Sequence, residues 1–277
     1  MKLIDFDEKF NRKMAKMIEK HAADHSEDEW ENLIAQAYAK FGDTYLAEIE
    51  KTPRAYFAEM SDSALVEVLK EYILQDIPVP DLLCAEIESR SVFSELLNVL
   101  QNTDEQLVHY ALNLIGSDRR AFERYCEMLA DDAYDDHVKD AVTDLLKEDA
   151  ASVADKVLSL IGTENAPYAY EILSKSTKKD DRFYRALTDA YLQCEESDKP
   201  LYVGYLASYG DARSLPMFLR EIEREDVGFV LYQELKFAIE ALGGEYEKER
   251  DFSSDPAYKK IMAACGGADI FGGKKKN

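Results

Sequence analysis

Apolar residues return every three or four positions along most of the chain, the period of helices packed on one side. Phe6, Phe10, Met14, Met17 and Ile18 mark a first helix. Trp30, Leu33, Ile34, Ala37, Tyr38 and Phe41 mark a second. Ser26 and Glu29 ahead of it make a capping box, and Gly42 stops it. Thr52-Pro53 opens another helix, with proline in the first turn, where its missing N–H costs nothing. Ser61 caps the next, which carries Leu65, Val68, Leu69, Tyr72 and Ile73. The two prolines of Ile77-Pro78-Val79-Pro80 break any helix, so this stretch reads as a hinge or subdomain boundary.

Further on, stripes end on glycine. Leu107, Ala111, Leu112 and Ile115 close on Gly116, and Val153, Val157, Leu158 and Ile161 close on Gly162. Val138, Ala141, Val142, Leu145 and Leu146 form a helix between them. Phe183, Leu187, Ala190, Tyr191 and Cys194 follow. Leu201, Tyr205, Leu206 and Tyr209 close on Gly210, and Leu235, Ala238, Ile239 and Leu242 on Gly243. No two-residue alternation is sustained, and the apolar run Phe229–Tyr232 is too short to overturn a helical reading. The fold class is all-α. One phrase occurs twice: Leu-Asn-Leu-Ile-Gly-Ser-Asp at 112–118 and Leu-Ser-Leu-Ile-Gly-Thr-Glu at 158–164. A recurrence of this length points to stacked helical repeats. The closures are uneven: 46 residues from Gly116 to Gly162, 48 to Gly210, 33 to Gly243. One of the longer spans is expected to hide an extra or lengthened helix.

At these positions the chain resembles the HEAT-repeat family in its degenerate bacterial form. Asp136-His137-Val138-Lys139 with Ala141 and Leu145 matches the family's turn and second helix. Asp104, Val108, Ala111, Leu112 and Gly116 match in part, as do Leu215-Pro216, Asp226, Ala238, Leu242 and Gly243. The likeness covers about 90–250. It implies an irregular HEAT-like α–α superhelix, a right-handed solenoid of antiparallel helix pairs whose second helices line a concave face. The organisation expected is an N-terminal helical region or cap over 1–80, continuous with the solenoid, HEAT-like repeats over 81–250, and a terminal helix with a flexible tail over 251–277.

Charge narrows the partners. Lys and Arg number 34 and Asp and Glu 56, a formal net charge of -22. Such a surface repels phosphate backbones and anionic lipid, so neither nucleic acid nor membrane is expected as a partner. Cys84, Cys126, Cys194 and Cys265 include no C-x-x-C pair and read as reduced thiols. No apolar run approaches the roughly 18 residues of a membrane span, and the N-terminus has no signal-peptide core. The expected location is cytoplasmic.

Three constellations bear on chemistry. Asp131-Asp132-Ala133-Tyr134-Asp135 spells D-D-x-x-D, the magnesium–diphosphate motif of prenyl transferases and terpene cyclases. A second acidic cluster is required, and Asp180-Asp181 lacks its third acid; an aspartate in a HEAT turn also caps the next helix. His21 and His25 have metal-ligand spacing but lack the H-E-x-x-H glutamate and lie at a helix end. Seven of 17 tyrosines fall within 168–209: Tyr168, Tyr170, Tyr184, Tyr191, Tyr202, Tyr205 and Tyr209. Tyrosine is amphipathic and rigid, so they are the candidate recognition patch as well as ordinary helix-packing residues. Nearby Glu195, Glu196 and Asp198 would suit a basic peptide. The expected function is a non-catalytic scaffold for a protein or peptide, without cofactor or metal, with homo-oligomerisation left open. The alternatives are a diphosphate enzyme using the Asp131–Asp136 cluster and a HEAT-like DNA glycosylase, the latter opposed by the negative charge.

Overall fold

In a computed structural model, residues 3–21, 24–90 and 92–264 are described. They form sixteen α-helices and no strand. The helices are α1 Phe6–His21, α2 Glu27–Phe41, α3 Pro53–Ala58, α4 Asp62–Leu74, α5 Asp81–Arg90, α6 Phe93–Val99, α7 Glu105–Ile115 and α8 Phe122–Ala130. They continue as α9 Asp136–Lys147, α10 Ala150–Val157, α11 Ala166–Ser174, α12 Asp181–Gln193, α13 Lys199–Tyr209, α14 Leu215–Glu221, α15 Phe229–Ala241 and α16 Pro256–Ala264.

The boundaries follow local chemistry. Ser26 and Glu29 close the capping box of α2, Thr52 and Ser61 cap α3 and α4, and Asp104 caps α7. Each satisfies one of the N–H groups that the first helical turn leaves without a partner. The four closing glycines Gly116, Gly162, Gly210 and Gly243 are the positive-φ glycines among the described residues. At Gly210 (φ 72°, ψ 31°) the chain turns left-handed, a region that a Cβ disfavours, and the Gly210 N–H donates to the Leu206 carbonyl.

The doubled phrase does not adopt one conformation. Leu112–Ile115 completes α7, whereas Leu158–Leu160 tightens into a 3-10 turn, with i to i+3 bonds supplying partners for the last carbonyls. Both longer glycine spans hold three α-helices, α8–α10 and α11–α13, while the shortest holds two.

The chain divides into two compact units, Met1–Arg124 with Ala133–Ala141, and Tyr125–Asp132 with Val142–Asn277. In the first, α5 packs on α3, α4 and α7, and α6 on α4 and α7. Residues 77–80 therefore lie inside this unit, joining α4 to α5. Its core gathers Phe6, Phe57, Leu65, Leu69, Tyr72, Leu83 and Ile87, and the Tyr72 hydroxyl donates to the Ile4 carbonyl at 2.8 Å. In the second, α13 touches α11, α12 and α15, α11 touches α10 and α12, and α14 touches α15. So α11, α13 and α15 lie side by side. Leu173, Phe183, Leu187, Val203, Leu206, Phe218, Leu235 and Ile239 are buried here. Gly266–Asn277 and Cys265, with the expected flexible tail, lie outside the described residues.

Candidate functional site

Helix α13 is apolar nearly all the way round. Val203, Leu206 and Tyr209 face the core. Leu201, Gly204, Tyr205 and Ser208, spaced i, i+3, i+4, i+7, share the opposite side. The sequence reading placed Leu201 on the packing stripe; it is 54% exposed. Helix α15 repeats the arrangement: Leu235, Ala238 and Ile239 are buried, while Val230, Glu234 and Phe237 form an outward stripe with Phe237 55% exposed.

A groove of about 450 Å³ runs over this row. Glu171, Ser174 and Lys175 of α11, Pro200, Leu201, Gly204, Tyr205 and Ser208 of α13, Glu234 of α15 and Lys147 at the end of α9 line it. A Cβ added at Gly204 would meet nothing within 4 Å, so the missing side chain opens the groove's middle. Burial opposes the charge of Lys147, but pairing with Asp144 at 2.6 Å and with Glu171 outweighs it and holds the amine above its ordinary pKa. Lys175 donates to the Ser208 hydroxyl at 2.9 Å.

The structure brings three of the seven tyrosines together. Tyr170 meets Tyr202 at 5.7 Å and 73°, and Tyr202 meets Tyr205 at 5.8 Å and 90°, both edge to face. All three are half-buried. Burial and then Glu171 push the Tyr205 hydroxyl up to about 12, and burial raises Tyr170 and Tyr202 as well. They therefore stay protonated and able to donate near neutral pH. Tyr168 is half-buried in α11, and Tyr184 lies under the Arg213 guanidinium at 4.0 Å. Tyr191 and Tyr209 are buried. Tyr191 meets Phe218 at 6.0 Å, and the Tyr209 hydroxyl accepts the Asp180 N–H at 2.9 Å.

The other constellations resolve into local structure. Asp131, Asp132, Asp135 and Asp136 are exposed at the turn between α8 and α9, where Asp135 accepts the Val138 N–H at 2.9 Å as a cap. His21 ends α1 and lies 2.8 Å from Asp24; His25 falls beyond that helix, its ring against Trp30. No group of three or more His, Cys, Asp or Glu among the described residues is gathered as a metal site would require. Burial pushes the Cys84 and Cys126 thiols up to about 11, which disfavours the reactive thiolate. No helix among the described residues is long and apolar enough to cross a membrane.

Sequence reasoning missed Gly204, Glu234 and Lys147 as groove residues. The available signal was α13 itself: a glycine inside a helix that lacks a polar face. It also missed a repeated clasp. In Asp118-x-Arg120, Asp180-x-Arg182 and Asp211-x-Arg213, the aspartate accepts the arginine's backbone N–H at 2.8–3.0 Å and its Nε at 3.0 Å. Arg182 reaches on to Asp155, and Arg213 to Asp181 at 2.8 Å. Comparison with family models, with curated proteins and with solved structures returns no match for this chain.

Proposed function

We propose that the chain is a non-catalytic scaffold whose helices in the second unit stack in an irregular HEAT-like manner and hold a protein or peptide on the outer face of α11, α13 and α15. One observation carries the reading: α13 presents Leu201, Gly204 and Tyr205 and α15 presents Val230 and Phe237 on the side away from the core, and that side is left open. Exposed apolar surface of this kind, rimmed by charges, is what a protein partner covers. Stacking is supported by the side-by-side packing of α11, α13 and α15 and by Arg182 and Arg213, each reaching back to an acid earlier in the chain. Leu201, Tyr202, Tyr205 and Phe237 are the contact residues, with Tyr170 holding Tyr202 in place. The net charge of -22 favours a cationic partner by steering its approach.

A photo-crosslinking residue placed at Leu201 or Phe237 should capture the same partner from extract of the source cells. Placed at Leu192 of α12, which is 64% exposed but has no part in the groove, it should capture none of it. Equal capture from all three positions, or none from the first two, contradicts the proposal.

A further inference from the structure

In a chain this acidic, α1 stands apart: Lys9, Arg12, Lys13, Lys16 and Lys20 outnumber Asp7, Glu8 and Glu19. Lys9, Lys13, Lys16 and Lys20 are spaced i, i+4, i+7, i+11 and form one stripe along the helix. Lys9 pairs with Glu48. Lys13, Lys16 and Lys20 are exposed and make no ion pair among the described residues. Beside this stripe runs an apolar one. Phe10 and Met14 are buried at its base, Met17 is 37% exposed, and Ala37 of α2 forms the far wall. Together with Lys13, Lys16, Lys20 and His21 they enclose a trench of about 290 Å³. Helix α2 buries only Phe41 among its described residues; Trp30, Leu33 and Ile34 of its apolar stripe are half-exposed. The hairpin α1–α2 thus offers an apolar floor beside three uncompensated cations.

We propose that this trench docks an acidic amphipathic helix of another protein, with apolar side chains against Met14, Met17 and Ala37 and carboxylates toward Lys13, Lys16 and Lys20. Lys13, Lys16 and Lys20 extend the site along two turns of α1, a linear charge row that a helix lying alongside can match. A peptide in the trench feels charges within about a Debye length, roughly 8 Å, so the net negative charge of the rest of the chain is largely screened from it.

The test titrates the full-length chain with a blocked peptide of two Leu-Glu-Glu-Leu-Leu-Glu-Glu heptads, read by calorimetry and by Trp30 emission. Trp30 is the single tryptophan and lies on the Ala37 side of α2. Saturable binding is expected, at least tenfold weaker in the Lys13→Glu, Lys16→Glu, Lys20→Glu triple variant and for a shuffled peptide. These lysines are exposed, so the variant retains the fold. Absence of binding, equal affinity in the triple variant or for the shuffled peptide, or lysine-dependent binding of phosphatidylserine vesicles without the peptide overturns the proposal.

Discussion

Gly204 and Gly210 lie six residues apart and differ in what a side chain would cost. Gly210 is left-handed, so Gly210→Ala should destabilise the chain by about 1–2 kcal/mol. Gly204 is inside α13 with open space around it, so Gly204→Ala should stabilise by about 1 kcal/mol, through helix propensity and a less flexible unfolded chain. Chemical denaturation of the two variants checks the opposite signs. The clasps carry a pH signature. The Arg182 side chain and backbone N–H lower Asp180 to about 2, and Asp118, Asp155 and Asp211 shift in the same direction. A carboxylate with a lower pKa folded than unfolded adds stability above its unfolded value of about 3.9 and loses it as pH falls toward the folded value. Asp180→Asn should therefore flatten the fall in melting temperature between about pH 4 and pH 2 and change little near pH 7 beyond a constant offset.

At the scale of elements, much of the chain was legible because helix ends are short-range chemistry. The capping box at Ser26, the caps at Thr52, Ser61 and Asp104 and the four glycine closures need only a few neighbouring residues to be recognised. What escaped depends on distant residues. Asp226, matched to the HEAT turn, pairs with Arg224, while Asp255 accepts the Phe229 N–H that begins α15. The other oxygen of Asp255 accepts N–H groups from Ala257 and Tyr258 in α16, so one carboxylate caps two helices. Arg90 and Arg250 likewise serve carbonyls far away in sequence, Arg90 those of Phe57, Ala58 and Met60, and Arg250 those of Ile222, Arg224 and Val227. Neither shows in a pattern of apolar spacing. Losing a cap costs about 1 kcal/mol. Asp255→Ala should exceed that figure because it removes the acceptor at the start of α15 as well as that of α16, and amide exchange should quicken at the start of both helices.

For the whole molecule, apolar residues have two destinations. Most go into the cores of the two units, but Leu201, Val230 and Phe237 remain at the surface. Periodicity could not separate the two destinations in α13, because Leu201, Tyr202, Val203, Tyr205 and Leu206 surround the helix and any stripe drawn through them looks like a core face. The tyrosine cluster was visible as composition. Its division into the ladder Tyr170–Tyr202–Tyr205 and the buried Tyr191 and Tyr209 depends on which helices become neighbours. The central claim is that the open face of α11, α13 and α15 holds a protein partner. Its most direct test is Gly204→Trp, which fills the groove where the backbone has room for a side chain. Calorimetry with the partner captured through Leu201 should show at least a tenfold loss of affinity with no fall in melting temperature. Undiminished affinity in that variant would contradict the account.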